Sequence, residues 1–446
     1  MSIVPEKNLL LISYYFPPMG GGGVQRVVKW LKYWDFSRFP VTVVTVKNSH
    51  FYAEDPELAR EVPGQVVIHR AGSLDPFRLI FLLRKWMRRI PPATRQQRES
   101  NRTLRHISSF LFLPDSRVLW LPFALGKVFR LLHRKNVSII LSTVSPFTAG
   151  LVGAVARMLW GIPHVLDMRD AWTNNPFHMP STRFHRWVQN KLEAFTLRHA
   201  DAVIFVSPRL LDYYRGKYPF LSQKLLRVIR NGFDPADFEN LAQPERYSGT
   251  TPFRIGLFGT IYSHGNWPTP LLQAVQNMLS KHPEFAGKIQ LVFVGKWSDD
   301  FLHHLKSFSL KGVVHLEGYL PHRQMLQRAR EMHALCISHD SRPTGSANIT
   351  PGRIYEFLAL QRPILALCHP ESDIAHLIHQ TESGEVVEYT HVQDIERILN
   401  EWLHNPQILT EKYRFRHLAQ FDRRQQTAHL MQLLEELLIR NSSYSD

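Results

Sequence analysis

Short apolar, β-branched runs alternate with longer stretches of helical period along most of this 446-residue chain. In the first half the runs fall at 8–15, 41–46, 66–69, 137–141, 164–168 and 202–206, with helical patterns such as 147–160 between several of them. Strands that are apolar throughout, separated by helices, predict a parallel sheet covered on both faces. The first run ends in Gly20-Gly21-Gly22-Gly23, and a helical pattern starts at once over 24–34, the opening of a Rossmann-type unit. Across 235–252 the periodicity gives way to Pro, Asn, Gln, Ser and Gly, the composition of a linker. A second series follows at 253–259, 289–295, 313–316, 334–338 and 363–367. The pattern therefore predicts an α/β protein of two domains, 1–234 and 253–421. A final helix over 422–446 carries Leu430, Leu433, Leu434, Leu437 and Leu438 on one face, which must pack on something.

Length agrees with that division, because 446 residues exceed what one core usually organises. No apolar run approaches the roughly 18 residues needed to span a bilayer, and the first apolar stretch reads as a strand, not a secretion signal. The two cysteines, Cys336 and Cys368, lie inside apolar segments, so a reducing cytoplasm is the expected location. None of the 23 histidines sits in a metal-ligand pattern, and no metal site is expected.

Charge changes the picture at one place. The net charge is +16, and the stretch 77–105 holds nine Lys/Arg against the single acid Glu99, supplying half of it. Leu79, Leu82, Leu83, Trp86, Met87 and Ile90 share one face if 75–90 is helical, with Arg78, Lys85, Arg88 and Arg89 largely elsewhere. An apolar stripe with Trp flanked by cations is the pattern of an interfacial helix, so 77–105 is expected to touch an anionic membrane.

Three motifs carry candidate chemistry. In the loop around Gly21 and Gly22, glycine permits positive φ and close backbone approach, and the following helix offers free N–H groups to an anion. There is no P-loop lysine, which argues against nucleotide triphosphate hydrolysis. At the end of the 164–168 run, Arg169 and Asp170 stand where doubly wound sheets place ligands, although an ion pair closing the strand end explains the same residues. In the third motif, Gly352 opens a helix carrying Arg353, a mobile cation for a phosphate, and Glu356, whose carboxylate can accept two hydrogen bonds from a ribose diol. A simple Arg353–Glu356 pair is the structural alternative.

Taken together, YFPP with the glycine cluster, PDS..LWLPFAL at 114–125, DMRDAW, IRNGFD at 229–234 and PGRIYEFLALQRPILA resemble glycosyltransferase family 4 over nearly the whole chain. The resemblance implies the GT-B fold: two Rossmann-like domains facing across a cleft, with the last helix crossing back to the N-terminal domain. It implies a retaining transferase that uses a UDP- or GDP-linked sugar as co-substrate, without cofactor or catalytic metal. Many such enzymes act on membrane-associated glycan or lipid-linked acceptors in cell-surface polysaccharide synthesis, at the inner face of the plasma membrane. By the same resemblance the C-terminal domain binds the donor, Glu356 is the ribose-binding second glutamate of the family's E-x7-E element, and Asn348 stands in place of the first. The family's diphosphate-binding Arg and Lys after the first C-domain strand are replaced by the stretch Gly259, Thr260 … His264. Arg353, Lys296 and Arg209 are the cations expected to substitute. Asp170 is the carboxylate expected nearest the transferred sugar.

Two other readings share the architecture. A non-hydrolysing nucleotide-sugar epimerase would need no acceptor surface, and YFPP and DMRD do not point to it. An inactive GT-B scaffold binding polyanions through 77–105 would show salt-sensitive binding, although no specific nucleic-acid motif is present.

Overall fold

The computed structural model describes residues 7–47, 55–74, 110, 112–134, 137–175, 182–242, 247–261, 266–340 and 346–442. The basic stretch 77–105 lies outside the described residues. The chain divides into two compact units, Met1–Arg230 with Arg423–Asp446, and Asn231–Asp422.

The first unit holds a seven-stranded sheet: β1 (Asn8–Ile12), β2 (Val41–Val46), β3 (Val67–Ala71), β4 (Val137–Val144), β5 (His164–Met168), β6 (Ala202–Phe205) and β7 (Leu225–Val228). All pairings are parallel and the spatial order is β3-β2-β1-β4-β5-β6-β7. The order reverses between β1 and β4, so the loops leaving those strands diverge and open a crevice at their C-terminal ends. One face packs the helix Gly22–Lys32 through Val27, Trp30 and Leu31; the other packs Leu121–Arg134 and Phe147–Trp160. The final helix, Arg423–Ser442, lies on the first of these faces. Its Leu430, Leu433, Leu434 and Leu437 are buried against Leu9, Val43 and Ile139, and Leu438 is partly buried beside them. Each buried leucine contributes about 1.5–3 kcal/mol of transfer free energy, which is what the stripe needed a partner for. Ion pairs Arg38–Glu435 and Arg227–Glu436 flank the seam.

The second unit repeats the plan with β8 (Phe253–Phe258), β9 (Ile289–Val294), β10 (Val314–Gly318), β11 (Ala334–Ser338), β12 (Ile364–Leu367) and β13 (Gly384–Val387), ordered β10-β9-β8-β11-β12-β13 and again all parallel. Its switch point lies between β8 and β11. Within the region read as a linker, Pro235–Phe238 forms one 3-10 turn capped by the Asp234 side chain, and Phe233 and Phe238 pack against the second core. Two doubly wound parallel sheets confirm the α/β, Rossmann-like fold class. No helix among the described residues is long and apolar enough to cross a membrane.

Candidate functional site

In the first unit, the chemistry gathers at the C-terminal edge around β1, β4 and β5. Gly21 has φ +101°, which a side chain would strain, and a Cβ at Gly21 or Gly22 would meet nothing within 4 Å. The loop therefore presents bare backbone, followed by the first turn of Gly22–Lys32, which has no acidic residue and no side-chain cap. Arg169 fixes this loop in place. Its guanidinium donates to Val144 O at 2.8 Å, Ser145 O at 2.6 Å and Gly23 O at 2.5 Å, joining the end of β4 to the glycine loop. Burial lowers the Arg169 pKa from its ordinary value, and the carboxylates of Asp167 and Asp170 oppose that shift. The arginine predicted from sequence thus spends its donors on backbone carbonyls. Asp170, one residue on, is half-buried at the same edge.

Asp167, within β5, has its own buried partners. Its oxygens receive Arg26 Nη2 at 2.9 Å, Arg26 Nε at 3.1 Å and the Thr143 hydroxyl at 2.8 Å, all buried. Arg26 also donates to Ile229 O and Arg230 O, tying the IRNGFD segment to the sheet. Sequence reading passed over Arg26 because it sits among apolar neighbours in a helix; its only signal was a charge on the buried face.

After β5 the chain carries Asp170 into a strapped loop. Trp172 stacks on Phe147, ring centroids 4.5 Å apart, its backbone N–H donates to the Tyr214 hydroxyl at 2.9 Å, and its indole N–H donates to Gln189. Buried Glu193 accepts from Tyr214 and Tyr218 at 2.7 Å each, from the Thr173 hydroxyl at 3.0 Å and from Lys217 at 2.5 Å. Asp115 of the PDS motif accepts from the Thr148 amide and hydroxyl, capping the helix whose Phe147 supports Trp172. The motifs at 114–125 and 164–172 are therefore one assembly.

In the second unit, Gly259 (φ +110°) and Gly295 (φ +147°) end β8 and β9. A Cβ on Gly259 would overlap the Arg353 guanidinium, and one on Gly295 would overlap the Gly259 carbonyl. Arg353 donates to Phe258 O at the end of β8. The glycine leaves room for the Arg353 head against the strand end. Gly352 is exposed ahead of the helix Arg353–Leu360, and Asn348 closes a short 3-10 turn just before it. Glu356, 17% exposed at its side chain, meets His322 Nε2 at 2.9 Å. His322 opens the neighbouring helix His322–Arg330 and had no sequence signal as a site residue. Thr260 accepts through its carbonyl from Asn266, while His264 lies outside the described residues. Of the other substitute cations, Lys296 stands over the exposed Tyr319 ring at 4.9 Å, and Arg209 opens the helix Pro208–Lys217 in the first unit. Structure thus gathers Gly259, Arg353 and Glu356 at one sheet edge, and Gly21, Gly22, Arg169 and Asp170 at the other.

Two Rossmann-like units of this topology define the GT-B fold. Over 98% of this chain and 100% of the other, the structure matches sucrose-phosphate synthase from Thermosynechococcus elongatus, with TM-score 0.64 at 15% identity. It matches alpha,alpha-trehalose 6-phosphate synthase from Burkholderia multivorans over 99% and 98%, with TM-score 0.62 at 12% identity. Residues 21–232, nearly half of the chain, match the model of the glycosyl transferase 4-like domain. Among curated proteins it resembles alpha-maltose-1-phosphate synthase of Mycolicibacterium smegmatis, 34% identical over 85 residues (19% of this chain, 22% of that one). The Mycobacterium tuberculosis enzyme of the same name is 30% identical over 128 residues, 28% of this chain and 33% of that one. The matched stretches thus span about a fifth to a third of those relatives' length.

Proposed function

We propose that the chain transfers a sugar from a UDP- or GDP-linked donor to a membrane-associated glycan or lipid-linked acceptor, with retention of configuration, in cell-surface polysaccharide synthesis at the cytoplasmic face of a membrane. The observation that carries this is Glu356: a partly exposed carboxylate bonded to His322, in the same helix as Arg353, whose guanidinium lies against Gly259 at the end of a strand of a doubly wound sheet. The relatives' names describe synthases of sugar phosphates, and one solved structure of similar fold, TarM, holds UDP together with alpha-GlcNAc-glycerol.

Cleaving a sugar–diphosphate bond builds negative charge on the leaving group. Fixed cations and backbone dipoles aimed there supply the largest part of such catalysis. In this reading Arg353, the bare backbone at Gly259 and Thr260, the helix start at Gly352 and the amide of Asn348 hold the donor. Gly21, Gly22 and Asp170 face the transferred sugar and acceptor, and Arg169 positions the glycine loop. The diphosphate itself takes the acceptor proton.

Titration calorimetry with UDP-glucose and GDP-mannose tests the donor assignment. Glu356→Gln is expected to weaken the binding sugar nucleotide about ten- to hundredfold, the worth of a charge-assisted hydrogen bond of about 1.5–3 kcal/mol. Unchanged affinity would remove Glu356 from the site. Release of the nucleoside diphosphate is expected to continue in EDTA; loss restored by Mg²⁺ or Mn²⁺ would overturn the metal-free mechanism.

A further inference from the structure

The helix Arg183–Arg198 in the first unit buries His185, Ala194 and Leu197 and turns a different composition outward. Phe184 is 64% exposed and Trp187 58%, and Phe110 beside them is 51% exposed. These rings are continuous. Phe110 and His185 lie 4.7 Å apart, Phe184 and His185 6.0 Å, and Phe184 and Trp187 stack at 6.2 Å. The strip is also ordered: Thr182 caps the helix through the His185 amide, and His185 Nε2 bonds the Phe110 carbonyl at 2.8 Å. Around the rings the exposed charged residues of this face are all cations, Arg183, Arg186 and Lys191, the last with its ammonium 5.9 Å from the Trp187 ring. The one acid on the helix, Glu193, is buried and paired with Lys217, so it offsets nothing outside.

We propose that Phe110, Phe184 and Trp187, ringed by Arg183, Arg186 and Lys191, form a docking surface for an anionic phospholipid bilayer. Aromatic rings with a cationic fringe are matched to the headgroup boundary, where the rings enter the apolar margin and the cations stay with the phosphates. A single helix face makes no groove to follow a nucleic-acid strand, and a protein partner would have to offer acids around an apolar centre; a bilayer presents both along a plane. The surface is also continuous in sequence with the cationic stretch 77–105, whose last cation, Arg105, precedes Phe110 by five residues. The inference does not rest on the donor reading, and the two are measured separately.

The test is co-sedimentation of the full chain with vesicles of phosphatidylcholine alone or mixed equally with phosphatidylglycerol. Wild type is expected to pellet with the mixed vesicles at low salt and to be released as salt rises. Phe184→Ser with Trp187→Ser, and separately Arg183→Glu with Arg186→Glu and Lys191→Glu, are expected to lower that binding at least about tenfold. Both variants should keep the wild-type melting temperature and sugar-nucleotide affinity. Charge reversal at Arg84, Lys85, Arg88 and Arg89 serves as the contrast. If only that reversal releases the protein, or if wild type stays in the supernatant, this surface is not the docking site. Wild type dimerising without lipid while the serine variant is monomeric would assign the strip to a second copy. Stronger competition by single-stranded RNA than by anionic vesicles would assign it to nucleic acid; either result overturns the proposal.

Discussion

His164 shows how much one buried side chain can demand. It lies inside β5 with Nε2 2.6 Å from the Ser142 hydroxyl and Nδ1 3.0 Å from the His199 carbonyl, and burial pushes its pKa down to about 4. Asp201 opposes that shift, while Arg157 and Lys224 reinforce it. The unfolded chain takes up this proton as pH falls through about 6.5, whereas the folded chain resists until about 4. The group's contribution is therefore complete above pH 6.5 and is lost as pH drops toward 4, about 3 kcal/mol in all. Urea unfolding of wild type and His164→Gln between pH 7 and 4 is expected to show a steeper loss in wild type; parallel curves would mean the histidine charges freely inside the fold. Such a residue is opaque to sequence reading. A histidine opening an apolar run gives no sign of which hydroxyl or carbonyl will receive it. Arg26 and His322 were missed for the same reason: their partners, Asp167 and Glu356, are 141 and 34 residues away.

Elements were legible where their own residues dictate them. The spans 164–168 and 334–338 match β5 and β11 residue for residue, since a strand covered on both faces is mostly apolar. β7 and β13 went unread. Each lies at a sheet edge, is four residues long, and is interrupted by a charged residue, Arg227 or Glu385, so neither has a run to detect. The candidate site was legible as glycines and strand ends, while the straps that hold it were not. Glu193 is the chief strap, joining the loop after β5 to the helices Arg183–Arg198 and Pro208–Lys217. Glu193→Gln keeps the shape but turns an amide N–H₂ toward hydroxyl and ammonium donors. A loss of about 3 kcal/mol is expected in denaturant unfolding, with faster amide exchange over 170–175 than elsewhere. A loss under about 0.5 kcal/mol would be that of an ordinary surface change and would show the network to be dispensable.

At the scale of the molecule, the first core is assembled from both ends of the sequence. Leu434 is fully buried in it, and Leu434→Asp would place an unpaired charge there. Detachment of the last helix is expected, seen as new protease cleavage beyond 422 and a lowered melting temperature; a wild-type cleavage pattern would mean the helix contributes little. The same arrangement sets an order in time. Synthesis delivers residues 231–422, a continuous unit, before it delivers Leu430 to Leu437. The half of the protein translated first is thus the half completed last, and until the final helix emerges, Leu9, Trp30 and Val43 present an uncovered apolar face to the ribosome's surroundings.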